Sequence, residues 1–126
     1  MVRVRARVDG LEPGEHAFHI HENAACKAPD FESAGGHFNP AGTEHGFLNP
    51  NGPHAGDLPN ISINEDGTGE MNVVTDRVTL EQDRDNSLFA GNGTAVVIHR
   101  EPDDYITDPA GKGGDRIACG VIESVE

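Results

Sequence analysis

Between Asn23 and Pro59 the chain shows neither the two-residue period of a strand nor the 3.6-residue period of a helix; Gly, Pro, Asn, Asp and His dominate instead. Connections in compact domains usually run about 4 to 6 residues, so a stretch this long is either disordered or functional. Apolar contact alone is a poor candidate for ordering it. Hydrophobic residues make up 35% of the chain and aromatics 5%, with no Trp. That is thin for a globular core, although a domain of this length can still bury roughly two-thirds of its unfolded surface, and something besides burial is expected to help hold the fold. The loop itself carries a candidate. His37, His45, His54 and Asp57 are three imidazoles and one carboxylate, a complete tetrahedral zinc set, and a closed zinc site would order the segment that contains it.

The flanking segments read as strands. Val2, Val4, Ala6 and Val8 alternate with Arg3, Arg5 and Arg7, the pattern of a strand with one buried and one solvated face. His16 to Glu22 alternates again, with Phe18 and Ile20 on one face and Ala17, His19 and His21 on the other. Asn60–Asn64 and Gly69–Thr75 flank Glu65-Asp66-Gly67-Thr68 as a hairpin. Val78–Leu80 is a short strand or turn, Thr94–His99 is β-rich, and Arg116–Val125 is a final apolar strand. A second irregular stretch runs from Arg100 to Asp115. Six strands, no helix of useful length, 16 Gly and 8 Pro predict an all-β fold, and nothing divides residues 1–126 into more than one domain.

Grouping makes the histidines informative. His19 and His21 are two apart on a strand, so they leave the same face about 6.7 Å apart, and both rings can reach one metal. His99, at the end of a separate strand, is available to join them. Imidazole-rich sites suit copper as well as zinc, and a ring deprotonated at both nitrogens can bridge two metals. Cys26 and Cys119 lie far from any C-x-x-C spacing. They read as one long-range disulfide, worth roughly 4 to 5 kcal/mol by chain entropy, or as two separate thiols.

The charge of −13, from 22 acidic against 9 basic side chains, leaves no electrostatic footprint for nucleic acid or an anionic membrane. No apolar run reaches about 18 residues, and MVRVRARVDG lacks the apolar core of a signal peptide.

The strings FHIHE, SAGGHFNP, EHG, HAGDLPN, VVIH and RIACGVIE, in this order, resemble the signature segments of the Cu,Zn superoxide dismutases, and CKAPDFESAGGH resembles the bacterial branch. The resemblance covers essentially the whole chain. It implies a Greek-key β-barrel or sandwich of immunoglobulin-like type with a long metal-binding loop and a shorter active-site loop. It implies that His19, His21, His37 and His99 are copper ligands, and that His37, His45, His54 and Asp57 are zinc ligands, His37 being shared. Asp103 matches the carboxylate that hydrogen-bonds one ring of each metal. Cys26 and Cys119 match the family disulfide, and Arg116 matches the arginine that draws in the anionic substrate.

The implied reaction converts two superoxide anions to dioxygen and hydrogen peroxide by Cu(II)/Cu(I) cycling, with the zinc-supported bridging His37 also carrying a proton. At physiological salt the Debye length is about 8 Å, so cations at the copper mouth matter more than the net charge. Lys27, Lys112 and Arg116 are the candidates there, and Asp115 is positioned to damp Arg116. The family barrel has eight strands and Val2–Val8 matches its third. The resemblance therefore implies an unpaired edge on that strand, belonging to a truncated or unusual variant or covered by a neighbouring chain, with a homodimer as one arrangement. Disulfide and family together imply an extracytoplasmic location, periplasmic, cell-surface or secreted. A non-catalytic copper/zinc-binding module, a buffer or chaperone-like domain, is the alternative reading.

Overall fold

The computed structural model describes residues 1–124. Seven strands are present among them: β1 (Val2–Val8), β2 (Gly14–His16), β3 (Phe18–His21), β4 (Ile61–Ile63), β5 (Gly69–Thr75), β6 (Ala95–His99) and β7 (Arg116–Val121). They form two antiparallel sheets, one in the order β1-β5-β4-β2 and the other β3-β6-β7, the two layers of a Greek-key sandwich. The helical content described is one short turn, Glu32–Ala34. Residue Val125, the predicted end of the last strand, lies outside the described residues; β7 stops at Val121.

The strand predicted over His16–Glu22 is two strands in two different sheets. Ala17 is the corner: it is fully buried, its N–H donates to the Glu101 carbonyl (2.9 Å), and its carbonyl accepts from His99 N–H (2.9 Å). Its main chain is thus spent on the end of β6 and the segment just after it, which lets His16 finish one sheet and Phe18 open the other. Alternation alone does not reveal such a corner, because the period continues across it.

The core lies between the layers. Phe18, Ile20 and Ile98 meet Ile61, Ile63 and Met71 there, all buried. Alternation along β3 sends His19 and His21 to the opposite face, beside Val97 and Ala95 on the neighbouring strand. That outer face is covered by the long loop. Main-chain bonds tie the loop to the free edge of β3: Ile20 N–H to Gly56 O (2.8 Å), Phe38 N–H to Ile20 O (2.8 Å) and Glu22 N–H to Gly36 O (2.9 Å). The Cys26–Cys119 disulfide anchors its beginning to β7. Ala34, Ala95 and Val97 pack with these cysteines in a small second apolar cluster.

The predicted hairpin joins β4 to β5: Asn64 N–H donates to Thr68 O (2.7 Å), and Asp66 Oδ1 accepts from Thr68 N–H (3.0 Å). Val78 is buried but Val78–Leu80 forms no strand; Thr79 makes a single bridge to Ser87. Among the described residues β1 stands at the edge of its sheet, and an apolar cavity of about 340 Å³ opens between it and β7. No helix of the described residues is long and apolar enough to cross a membrane.

Candidate metal centre

Six histidines and two aspartates converge on the outer face of the three-stranded sheet. His19 and His21 come from β3 and His99 from the end of β6, while His37, His45, His54 and Asp57 come from the loop. All but His37 are buried, and it is nearly so.

Hydrogen bonds decide which nitrogen each ring offers. His21 Nδ1 donates to Gly35 O (2.9 Å) and His99 Nδ1 to Gly114 O (3.0 Å), so each ring presents the lone pair of Nε2. Those two Nε2 atoms face each other at 3.4 Å. In His19 the assignment is reversed: Nε2 donates to Asp103 Oδ2 (2.7 Å) and leaves Nδ1 free. His19 Nδ1 and His37 Nε2 are buried with no hydrogen-bond partner. Four such lone pairs brought together form a donor set suited to a metal cation. His19, His21, His37 and His99 each bring a donor atom within 4.8 Å of the others.

A second set adjoins the first through the other face of His37. Its Nδ1 lies 3.2 Å from His54 Nδ1 and 3.1 Å from Asp57 Oδ1, and Asp57 Oδ1 lies 3.0 Å from His45 Nδ1 and 3.4 Å from His54 Nδ1. A tetrahedron with metal–ligand bonds of 2.0 to 2.1 Å has edges of about 3.3 Å, so these spacings are those of a four-coordinate zinc site. A donor of His19 also comes within 4.8 Å of His37, His45 and Asp57, but its Nε2 is taken by Asp103, and the short distances select His54. The residues present therefore fit two metals sharing one imidazole.

Two carboxylates hold the rings. Asp103 accepts from His19 Nε2 with one oxygen and from His45 Nε2 with the other (2.8 Å), linking the two sets. Asn60 fixes Asp103 in turn, its Oδ1 accepting from Asp103 N–H (2.8 Å) and its Nδ2 donating to Asp103 O (3.1 Å). Asp57 Oδ2 accepts from the N–H groups of Gly46 (3.0 Å) and His54 (2.9 Å).

Burial outweighs the hydrogen bonds at the three strand-borne rings and lowers His19 to about 3, His21 to about 2 and His99 to about 4, so all three stay neutral and free to bind metal in mild acid. At His45 burial is overcome by the bonds to Asp103 and Asp57, which raise it to about 9. Asp57 and Asp103, against the effect of burial, are held well below the usual carboxylate range by their histidine partners.

The sequence model of the copper/zinc superoxide dismutases matches residues 1–122. The chain belongs to the copper/zinc superoxide dismutase family. It is 56% identical over 122 residues to superoxide dismutase [Cu-Zn] 2 of Aquifex aeolicus, covering 96% of this chain and 71% of that protein. Superoxide dismutase [Cu-Zn] 1 of the same organism is 53% identical, covering 97% and 73%. The crystal structure of a SOD-like protein from Bacillus subtilis superposes with a TM-score of 0.91 at 42% identity, covering 94% of this chain and 80% of that one.

Every metal-set residue expected from the superoxide dismutase resemblance is brought to this centre. The cations are more mixed. A cleft of about 430 Å³ beside His99 is lined by Asp30, Glu32, Arg100, Gly114, Asp115 and Arg116, whereas Lys27 and Lys112 are exposed and do not line it. Arg116 Nη1 donates to Phe31 O (2.9 Å). The Asp115 carboxylate lies 3.7 Å from Arg100 Nε, so its described ion pair is with Arg100 and not with Arg116. Sequence reasoning missed Arg100, although it directly follows His99. It also missed Asn60 and His16, whose ring is held between His99 O (3.0 Å) and Glu12 O (2.8 Å) and braces the end of β6.

Proposed function

We infer that His19, His21, His37 and His99 hold copper, that His37, His45, His54 and Asp57 hold zinc, and that the chain is a superoxide dismutase. The observation that carries this is the pair of buried, unpartnered nitrogens, His19 Nδ1 and His37 Nε2, beside the opposed Nε2 atoms of His21 and His99. The reaction takes two superoxide anions and two protons to dioxygen and hydrogen peroxide. Bound copper supplies the Cu(II)/Cu(I) couple and bound zinc a fixed positive charge.

The protein's own groups do the rest. Arg116, held at the cleft by Phe31 O, offers planar donors and a permanent charge to a small anion. His37 Nε2 is the atom at which a proton can be held and released, because its Nδ1 is engaged by the Asp57 and His54 side. Asp103 keeps His19 and His45 in the tautomers that present Nδ1 to each metal. Arg100 offsets Asp115 and leaves Arg116 as the unpaired cation of the cleft lining.

Residues 1–126 form one such domain in this reading. The disulfide fits an oxidising compartment, and we place the protein outside the cytoplasm, in the periplasm, at the cell surface or secreted. Copper and zinc stoichiometry together with superoxide consumption, measured on one reconstituted sample, tests the reading. Two metals with turnover is the expected result. Two metals without turnover identifies a copper buffer, and no copper after loading removes both copper readings.

A further inference from the structure

Arg77 lies just past β5, in a stretch to which the metal centre owes no donor. Its main chain is pinned on both sides: its N–H donates to Thr75 Oγ1 (3.2 Å), and its carbonyl accepts from Asn86 Nδ2 (3.2 Å). The side chain leaves the four-stranded sheet and crosses to the long loop. There Nη2 donates to the main-chain carbonyl of Asp57 (3.2 Å), and the guanidinium carbon sits 5.1 Å from the centre of the Phe47 ring. Nε is buried with no hydrogen-bond partner among the described residues, so this part of the cation has given up water for the ring face.

The two contacts reach two separate stretches of the loop. Phe47 follows His45 and Gly46, and Gly46 N–H donates to Asp57 Oδ2 (3.0 Å); Asp57 closes the stretch that begins at His54. We propose that Arg77 is a positioning residue that clamps the 45–47 and 54–57 stretches together from outside and so holds the zinc set in place. The proposal rests on the assignment of His37, His45, His54 and Asp57 to zinc.

The clamp requires a planar fork. A guanidinium can stack on Phe47 with its face while donating to a carbonyl from its edge. An ammonium keeps the charge but cannot do both in one geometry. The clamp touches no atom of the copper-side set, so its loss is read at zinc first.

The test uses the protein carrying both metals and follows zinc transfer to an excess of a chromophoric chelator. Arg77→Ala and Arg77→Lys are expected to release zinc about tenfold faster than wild type, the lower end of the effect usual for residues that support metal ligands. Phe47→Leu is expected to do the same without touching the arginine, and it carries the test if Arg77→Ala fails to fold. Arg77→Ala combined with Phe47→Leu is expected to release zinc no faster than Arg77→Ala alone, because each change opens the same clamp. With cobalt(II) in place of zinc, the visible absorption of the variants should shift from that of wild type. Wild-type release from folded Arg77→Ala, full rescue by Arg77→Lys, or multiplying effects in the double variant would overturn the proposal. Failure of the wild-type protein to take up zinc would instead overturn the ligand assignment beneath it.

Discussion

His19 Nε2 donates to Asp103 Oδ2 across 2.7 Å, with both side chains buried. The bond joins β3 to the loop after β6, and the other oxygen of the same carboxylate reaches His45. One residue therefore sets the tautomer of a ring in each metal set. Asp103→Asn keeps the shape but replaces an acceptor oxygen by an NH₂ facing a ring N–H. Zinc affinity should fall about 10- to 100-fold, the usual cost of losing such a partner, as measured by competition with a chelator.

Gly111 lies against this bridge with φ +64°, and a Cβ there would overlap Asp103 Oδ1 and crowd His45 Nε2. Gly111→Ala combines left-handed backbone strain of about 1 to 2 kcal/mol with displacement of the bridging carboxylate. The expected result is a lower unfolding temperature and zinc loss resembling that of Asp103→Asn. Normal zinc content in this variant would show that the bridge tolerates displacement.

Arg116→Ala should lower the second-order rate with superoxide about tenfold and flatten its dependence on ionic strength, since a cation that steers an anion acts through a screened field. Asp115→Asn should change the rate less, because the Asp115 carboxylate lies against Arg100. Stopped-flow decay of superoxide at several salt concentrations measures both; an unchanged rate in Arg116→Ala removes that residue from substrate guidance.

The metal-free protein should be most stable near pH 6 to 7. His19, His21 and His99 are depressed by burial from 6.5 to about 3, 2 and 4, so below 6.5 the unfolded chain binds more protons and stability falls with pH. Asp57 and Asp103, also depressed, continue the loss at lower pH. His45 has the opposite sign: raised to about 9, its contribution is complete below 6.5 and is lost as pH rises through 9. In the proposed zinc site the metal would take the place of a His45 proton, so metal loading should abolish the alkaline loss. Thermal unfolding of chelator-treated and loaded protein from pH 4 to 10 checks both limbs.

Reduction of Cys26–Cys119, or Cys119→Ser, should cost about 2 to 5 kcal/mol, read from denaturant midpoints. Zinc release should also quicken, because the bond anchors the start of the loop that carries His37.

Much of the site is legible because its donors sit in short local patterns. His19 and His21 declare a shared face through a two-residue spacing, and three histidines with Asp57 occupy a loop that has little else to order it. The corner at Ala17 is not legible, since alternation runs on through it while the main-chain bonds go to residues 99 and 101. Nor are the supports. Arg77, Asn60 and Gly111 bear no spacing relation to a histidine, and each acts by reaching across from another part of the chain.

By itself the sequence determined the all-β architecture, the inventory of imidazoles and carboxylates, and the family whose segments they resemble, because periodicity and residue chemistry are local. Which nitrogen each ring offers was decided only by the tertiary structure. A neutral imidazole presents the nitrogen that does not carry the proton, and the proton stays where a carbonyl or carboxylate accepts it. For His21 that acceptor is Gly35 O, for His99 it is Gly114 O, and for His19 and His45 it is Asp103. Folding brings those acceptors to the rings, and their placement leaves the remaining lone pairs pointing inward at the two sites proposed for copper and zinc.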